Sequence, residues 1–167
     1  MGLMSFVKNA GKAIFGSKEE EERIAKEVEA KAAAQRERLA ELKKAAGLRN
    51  RINDMGLEIT DADIQVDDTK VTIKGKVDTQ ETSEKIALTV GNIEGVETVD
   101  NQLEVLNPEP EATFYTVVRG DTLSGIAKDH YGKASKYMVI FEANKPMLSD
   151  PDKIYPGQVL RIPALDD

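Results

Sequence analysis

The one histidine, His130, follows Ser124 by six positions on a single predicted helix. Six steps of about 100° set the two side chains about 120° apart around the cylinder, so they cannot form a nucleophile–base pair. A lone histidine at a helix end reads as a partner for the C-terminal carbonyls rather than as a metal ligand. The pairs Asp61/Asp63, Asp67/Asp68 and Asp150/Asp152 invite calcium or acid–base chemistry. None stands in a calcium loop with its central glycine and closing glutamate, and turn and cap formation accounts for all three. The chain has no cysteine, which removes thiolate zinc sites, disulfides and cysteine nucleophiles. No phosphate loop or dinucleotide fingerprint occurs. The side chains point to a binding protein, not an enzyme.

The 167 residues suit one ordinary domain or two small ones, and 40% hydrophobic residues are enough for a packed core. A net charge of −7 argues against a nucleic-acid partner, which needs a basic face, and favours cations and basic partners. No stretch is long and apolar enough to span a membrane, so no membrane insertion is expected. The apolar run Leu3-Met4-Ser5-Phe6-Val7 stops at Lys8, short of a signal-peptide core, and the myristoylation pattern fails at Ser5-Phe6. The expectation is a cytoplasmic monomer.

Charge and aromatics divide the chain. Residues 47–107 carry six basic and thirteen acidic side chains, whereas residues 18–46 carry eight of each sign. Six of the eight aromatics lie from Phe114 onward, and Asn107-Pro108-Glu109-Pro110-Glu111 reads as a short stiff linker. These shifts give an N-terminal region 1–46, a domain 47–106, a linker 107–112 and a domain 113–165. The two domains are expected to have separate cores and to close on each other with ligand.

Leu3, Phe6, Val7, Ala10 and Ile14 recur at helical spacing. That face either docks on the protein's own core or lies on a membrane; Lys8 and Lys12 alone offer little to anionic lipid, which favours docking. Ser17-Lys18-Glu19-Glu20 is a capping box opening a long helix. Its thin stripe, Ile24, Val28, Leu39 and Leu42, is interrupted at Ala32 and Gln35, so a solvated helix is preferred over a coiled coil. Leu48, Ile52 and Met55 continue to Gly56. Strands follow at Ile64–Val66 and Val71–Val77 around the turn Asp67-Asp68-Thr69. Asp78 and Glu81 are placed to cap a helix with inner face Ile86, Val90 and Ile93, and Val99–Val105 forms a third strand. In the last third, Phe114–Val118 is a strand. Asp121 is placed to cap a helix ending at Gly132, Ser135 opens another ending at Asn144, and Val159–Pro163 closes a two-stranded sheet. The class is α+β: an αββαβ sandwich and a βααβ module, preceded by N-terminal helices.

Leu48 to Val105 resembles the BON domain, through "VTIKGKV" and "GNIEGVETVDN". Tyr115 to Pro163 is similar to the LysM domain, through "YTVVRGDTLSGIA", Asn144 and "IYPGQVLRIP". The LysM resemblance implies a shallow groove for N-acetylglucosamine-containing glycans, between Gly120, Asp121 and Thr122 on one side and Ile154 and Tyr155 on the other. The order of modules, with "MGLMSFVKNAG" in front, resembles a family of small bacterial BON–LysM proteins that bind potassium in the cytoplasm.

That resemblance implies K+ as the ligand and a sensor or buffer that changes shape with the ion. Potassium suits rings of backbone carbonyls in place of carboxylates. The last carbonyls of a helix lack intrahelical partners and sit at the negative end of its dipole. Two such ends stand near glycines, Val7 and Ala10 before Gly11, and Gly91, Ile93 and Val96 in "GNIEGV". These five residues are the expected potassium ligands. A peptidoglycan-binding LysM protein of the cell envelope is the alternative.

Overall fold

A computed structural model describes residues 17–165. The predicted helix from Leu3 to Ile14, with Val7 and Ala10, lies outside the described residues. The chain divides into two units, residues 1–40 and 41–167. From Lys18 on, the described part of the first is helical and belongs to α1 (Lys18–Asp54). The amide of Glu20 donates to the Ser17 hydroxyl at 3.3 Å, half of the expected capping box. The Glu20 carboxylate turns to Arg23 instead, at 3.3 Å.

In the second unit, the C-terminal turns of α1 are followed by β1 (Thr60–Asp67), β2 (Lys70–Thr79), α2 (Gln80–Gly91) and β3 (Thr98–Asn107). The sheet order is β1-β2-β3, with β2 antiparallel to β1 and parallel to β3. Alternation explains the one-sided burial of β2. Val71, Ile73 and Val77 are buried, while Lys74 and Lys76 face solvent. Leu48 and Ile52 from α1 and Ile86 and Val90 from α2 complete that core. A bulge at Thr60–Asp63 breaks the β1–β2 register opposite Gly75. The guanidinium of Arg49 donates to the Ala62 carbonyl within the bulge.

The rest of the unit comprises β4 (Thr113–Thr116), α3 (Leu123–Tyr131), a 3-10 turn at Ala134–Lys136, α4 (Tyr137–Ala143) and β5 (Val159–Ile162). The helices cover the antiparallel β4–β5 pair, and Val117, Leu123, Ile126, Ile140, Phe141 and Leu160 form a second hydrophobic cluster. A two-stranded sheet is marginal alone, so this cover is what stabilises it.

Three local expectations are corrected. Thr79, not Asp78, caps α2, its hydroxyl accepting from the Thr82 amide at 3.2 Å. The Asp78 carboxylate instead accepts from Asn107 Nδ2 at 2.7 Å, across the β2–β3 ladder. Likewise Thr122, not Asp121, caps α3 by accepting from Gly125 N–H at 3.1 Å. In both places an acidic residue and a threonine stand side by side, and the threonine holds the extended cap backbone while the carboxylate bonds across a loop or ladder. Ser135 opens no α-helix of its own; it lies in the 3-10 turn ahead of α4.

Candidate functional site

The carbonyl-rich turn after α2 is described in full. Asn92 N–H donates to Leu88 O at 3.1 Å, Ile93 N–H to Val90 O at 3.1 Å and Val96 N–H to Ile93 O at 3.1 Å. Among the described residues, no main-chain donor reaches the carbonyl of Gly91 or of Val96. The last turn of α2 holds no basic side chain of its own, although Arg51 and Lys153 line the cleft beside Thr89, Asn92 and Ile93. Ile93 and Val96 also line a groove of about 580 Å³, with Leu48, Val66 and Val71 as apolar wall and two acidic residues, Asp68 and Glu94, balanced by two basic ones, Lys44 and Arg51. Gly91, Ile93 and Val96 thus share one turn at a helix C-terminus. Val7 and Ala10 lie outside the described residues.

Asn92, inside this turn, reaches the other module. Its Nδ2 donates to Val159 O at 3.0 Å and its Oδ1 accepts from Val159 N–H at 2.8 Å. Two residues along β5, the fully buried Asn144 does the same for Arg161, donating to its carbonyl at 2.8 Å and accepting from its N–H at 2.8 Å. Two asparagine amides therefore stand in for a strand along the free edge of β5. Beside them the buried Glu84 accepts from Arg161 Nε at 2.6 Å and from the Ala112 amide at 2.9 Å. Gln80 Nε2 adds a third bond to Glu84 at 3.0 Å. Ala112, at the end of the linker, is itself buried.

The sequence reading missed Asn92, Glu84 and Arg161. Glu84 lies on another face of α2 from Ile86 and Val90, one turn before the buried Leu88, and Arg161 interrupts an apolar strand, which was the one available signal.

The LysM residues flank two neighbouring loops. Val117 N–H donates to Gln158 O at 2.8 Å and Gly157 N–H to Val117 O at 2.8 Å, which ties the segment after β4 to the turn before β5. That turn, Tyr155 to Gln158, is closed by Gln158 N–H to Tyr155 O at 3.1 Å, with Gly157 at φ +89°, as a type II turn with proline second and glycine third requires. Tyr155 and Gly120 are exposed, as is Thr122, whereas Ile154 packs on the module's core. Asp121 is engaged in structure, since its Oδ2 accepts from Val118 N–H at 2.8 Å and from the Tyr115 hydroxyl at 2.9 Å. The bond to that carboxylate pushes the Tyr115 phenol above its usual range, with burial adding to it. His130 stands edge-on to the Tyr115 ring, with centroids 5.5 Å apart.

No group of three or more histidine or acidic side chains is arranged to hold a metal among the described residues.

Comparison with known proteins agrees with these two modules. The BON domain model matches residues 43–107 and the LysM domain model residues 115–163. The chain is 43% identical over 164 residues to the potassium binding protein Kbp of Escherichia coli, covering 98% of this chain and 99% of that protein. Shorter matches are to an uncharacterized protein of Deinococcus radiodurans, 50% identical over 52 residues, 31% of this chain and 20% of that one. An esterase of Mycobacterium tuberculosis is 51% identical over 53 residues, 32% of this chain and 11% of the esterase. With near-complete coverage at that identity and both modules present, the chain belongs to the family of the potassium binding protein Kbp.

Proposed function

We propose that this protein binds K+ and works as a non-enzymatic potassium sensor or buffer in the cytoplasm. The ion is held by main-chain carbonyls of Gly91, Ile93 and Val96, completed by those of Val7 and Ala10. The carrying observation is the C-terminal turn of α2, where, among the described residues, two carbonyls lack main-chain donors and the last helical turn has no basic residue of its own. The Ile93 carbonyl has one hydrogen bond and keeps a second lone pair for a ligand. A large, weakly hydrated ion suits such a ring, and the relative matched over nearly its full length is named for potassium binding.

Asn92 links this site to a change of shape. It lies between two of the proposed ligands and holds Val159 of the LysM module by two hydrogen bonds. Turning the Gly91 and Ile93 carbonyls toward an ion shifts Asn92, and with it the edge of β5. Deleting residues 1–11 tests the ligand set. The expected result is loss of K+ binding with the LysM module still folded; unchanged K+ affinity would remove Val7 and Ala10 from the site. The absence of cysteine suits a reducing compartment, and cell fractionation tests the location.

A second reading, glycan binding by the LysM module, is favoured by the exposed Tyr155 beside the loop that carries Gly120 and Thr122. Chitooligosaccharide titration followed by NMR shifts at Gly120, Asp121, Thr122, Ile154 and Tyr155 separates the two readings.

A further inference from the structure

Helix α1 runs 37 residues, about 55 Å, far beyond what its two buried residues, Leu48 and Ile52, need to anchor it. N-terminal to them it leaves large apolar side chains in solvent. Ile24 is 52% exposed, Val28 60%, Leu39 53% and Leu42 60%. Val28, Ala32, Gln35, Leu39 and Leu42 follow the alternating four-and-three spacing of a coiled-coil seam, with Ala25 and Ala46 extending it at either end.

The charge along the helix is polar from end to end. Residues 18–33 carry four basic and six acidic side chains, a net −2, whereas residues 34–49 carry five basic and two acidic, a net +3. Two copies laid antiparallel about a two-fold axis between Ala33 and Ala34 would set each negative half against a positive one. The same axis puts Val28 opposite Leu39 and Ala25 with Ile24 opposite Leu42, and the three alanines Ala32 to Ala34 allow close approach at the centre. Along one flank Glu22 meets Lys43 and Glu29 meets Arg36. The other flank brings Lys31 near Arg38, and Lys31 is already neutralised by Glu27 at 2.7 Å. A parallel pair instead faces Lys31 with Arg36 and Arg38 with Lys43, like charges in both, without an attractive pair to offset them.

We infer that the exposed face of α1 between Glu21 and Ala46 is a docking surface for a second copy of this chain, paired antiparallel in a two-fold symmetric dimer. Its isologous symmetry closes the assembly at two copies. The seam is short and its centre is alanine and glutamine, so the dimer is dynamic and weakens as salt screens the flanking pairs.

Sedimentation equilibrium of the full chain over the micromolar to millimolar range tests it, with circular dichroism as the folding control. The expected result is a monomer–dimer equilibrium that the exposed pair Val28→Lys with Leu39→Lys abolishes at unchanged helicity. Lys43→Glu with Lys44→Glu weakens self-association about tenfold, and mixing with a Glu21→Lys, Glu22→Lys chain restores pairing. Orientation is read from a cysteine-free background. Glu21→Cys mixed with Ala46→Cys forms a disulfide in a glutathione buffer, while neither variant links to itself. A monomer at every concentration overturns the inference, and self-linking of each cysteine variant overturns the antiparallel arrangement.

Discussion

Asn92 pairs with Val159 as one strand residue pairs with another, giving 3.0 Å to the carbonyl and 2.8 Å from the amide. The bond joins the turn after α2 to the last strand of the chain, 67 positions later. Asn144 serves Arg161 in the same way from within the LysM module. Asn92→Ala removes both bonds and leaves the Val159 groups on an open edge. The expected cost is about 1–3 kcal/mol, with faster amide exchange at Val159 and little change at Arg161. Equal acceleration at both residues would mean that the edge melts as one and that Asn92 has no separate role.

The Glu84–Arg161 pair is buried at both ends, with side chains 5% and 10% exposed. Removing one partner strands the other charge, so Glu84→Gln or Arg161→Met is expected to cost about 3–5 kcal/mol in urea unfolding. Replacing both by apolar residues of similar volume recovers most of the loss. A double variant as unstable as the sum of the two singles would contradict this account of the pair.

The strands, helices and their order were legible because each follows a clean period. Val71, Ile73 and Val77 alternate, and Ile86 and Val90 recur at helical spacing. The caps were misread where an acidic residue and a threonine compete for one position, as at Asp78/Thr79 and Asp121/Thr122. The joint between the modules was invisible for another reason. Nothing local in Glu84, Asn92 or Arg161 says that they meet, since each satisfies a partner supplied by a distant segment. The turn with Gly91, Ile93 and Val96 was legible from its glycines, whereas the lack of main-chain donors to Gly91 and Val96 among the described residues is a property of the folded turn.

Glu81 gives the molecule an acid-sensitive contact. Its hydrogen bond from Lys85 holds the carboxyl below the ordinary value of 4.5, with the charges of Lys85 and Arg161 assisting and burial opposing. A carboxyl whose pKa is lower folded than unfolded adds stability above its unfolded pKa, and that contribution fades as pH falls through the folded one. Glu81→Gln is therefore less stable than the parent at neutral pH. The gap closes in acid below about pH 4.5. Thermal melts across that range check it, and a gap that persists at low pH would contradict the assignment.

Gly75 sits opposite the β1 bulge with φ +142°, where a Cβ would lie 2.5 Å from Ile59 Cγ2 and 2.8 Å from Thr60 O. The second contact is backbone and cannot yield cheaply. Gly75→Ala is expected to cost about 2–4 kcal/mol, through backbone strain and overpacking together. Gly95→Ala, with positive φ but open space around it, should cost less. Equal losses in chemical denaturation would show that the bulge is not what excludes a side chain at residue 75.

Potassium binding by the carbonyl turn is tested most directly by isothermal titration of the full chain with KCl, NaCl and MgCl2 at constant ionic strength, with amide chemical shifts followed in parallel. The account predicts saturable binding of K+, weaker binding of Na+ and none of Mg2+. The largest K+-dependent shifts should fall from Gly91 to Val96, followed by Val159 across the Asn92 contact. Absence of saturable K+ binding, or K+ shifts that leave residues 91–96 unmoved, would contradict it.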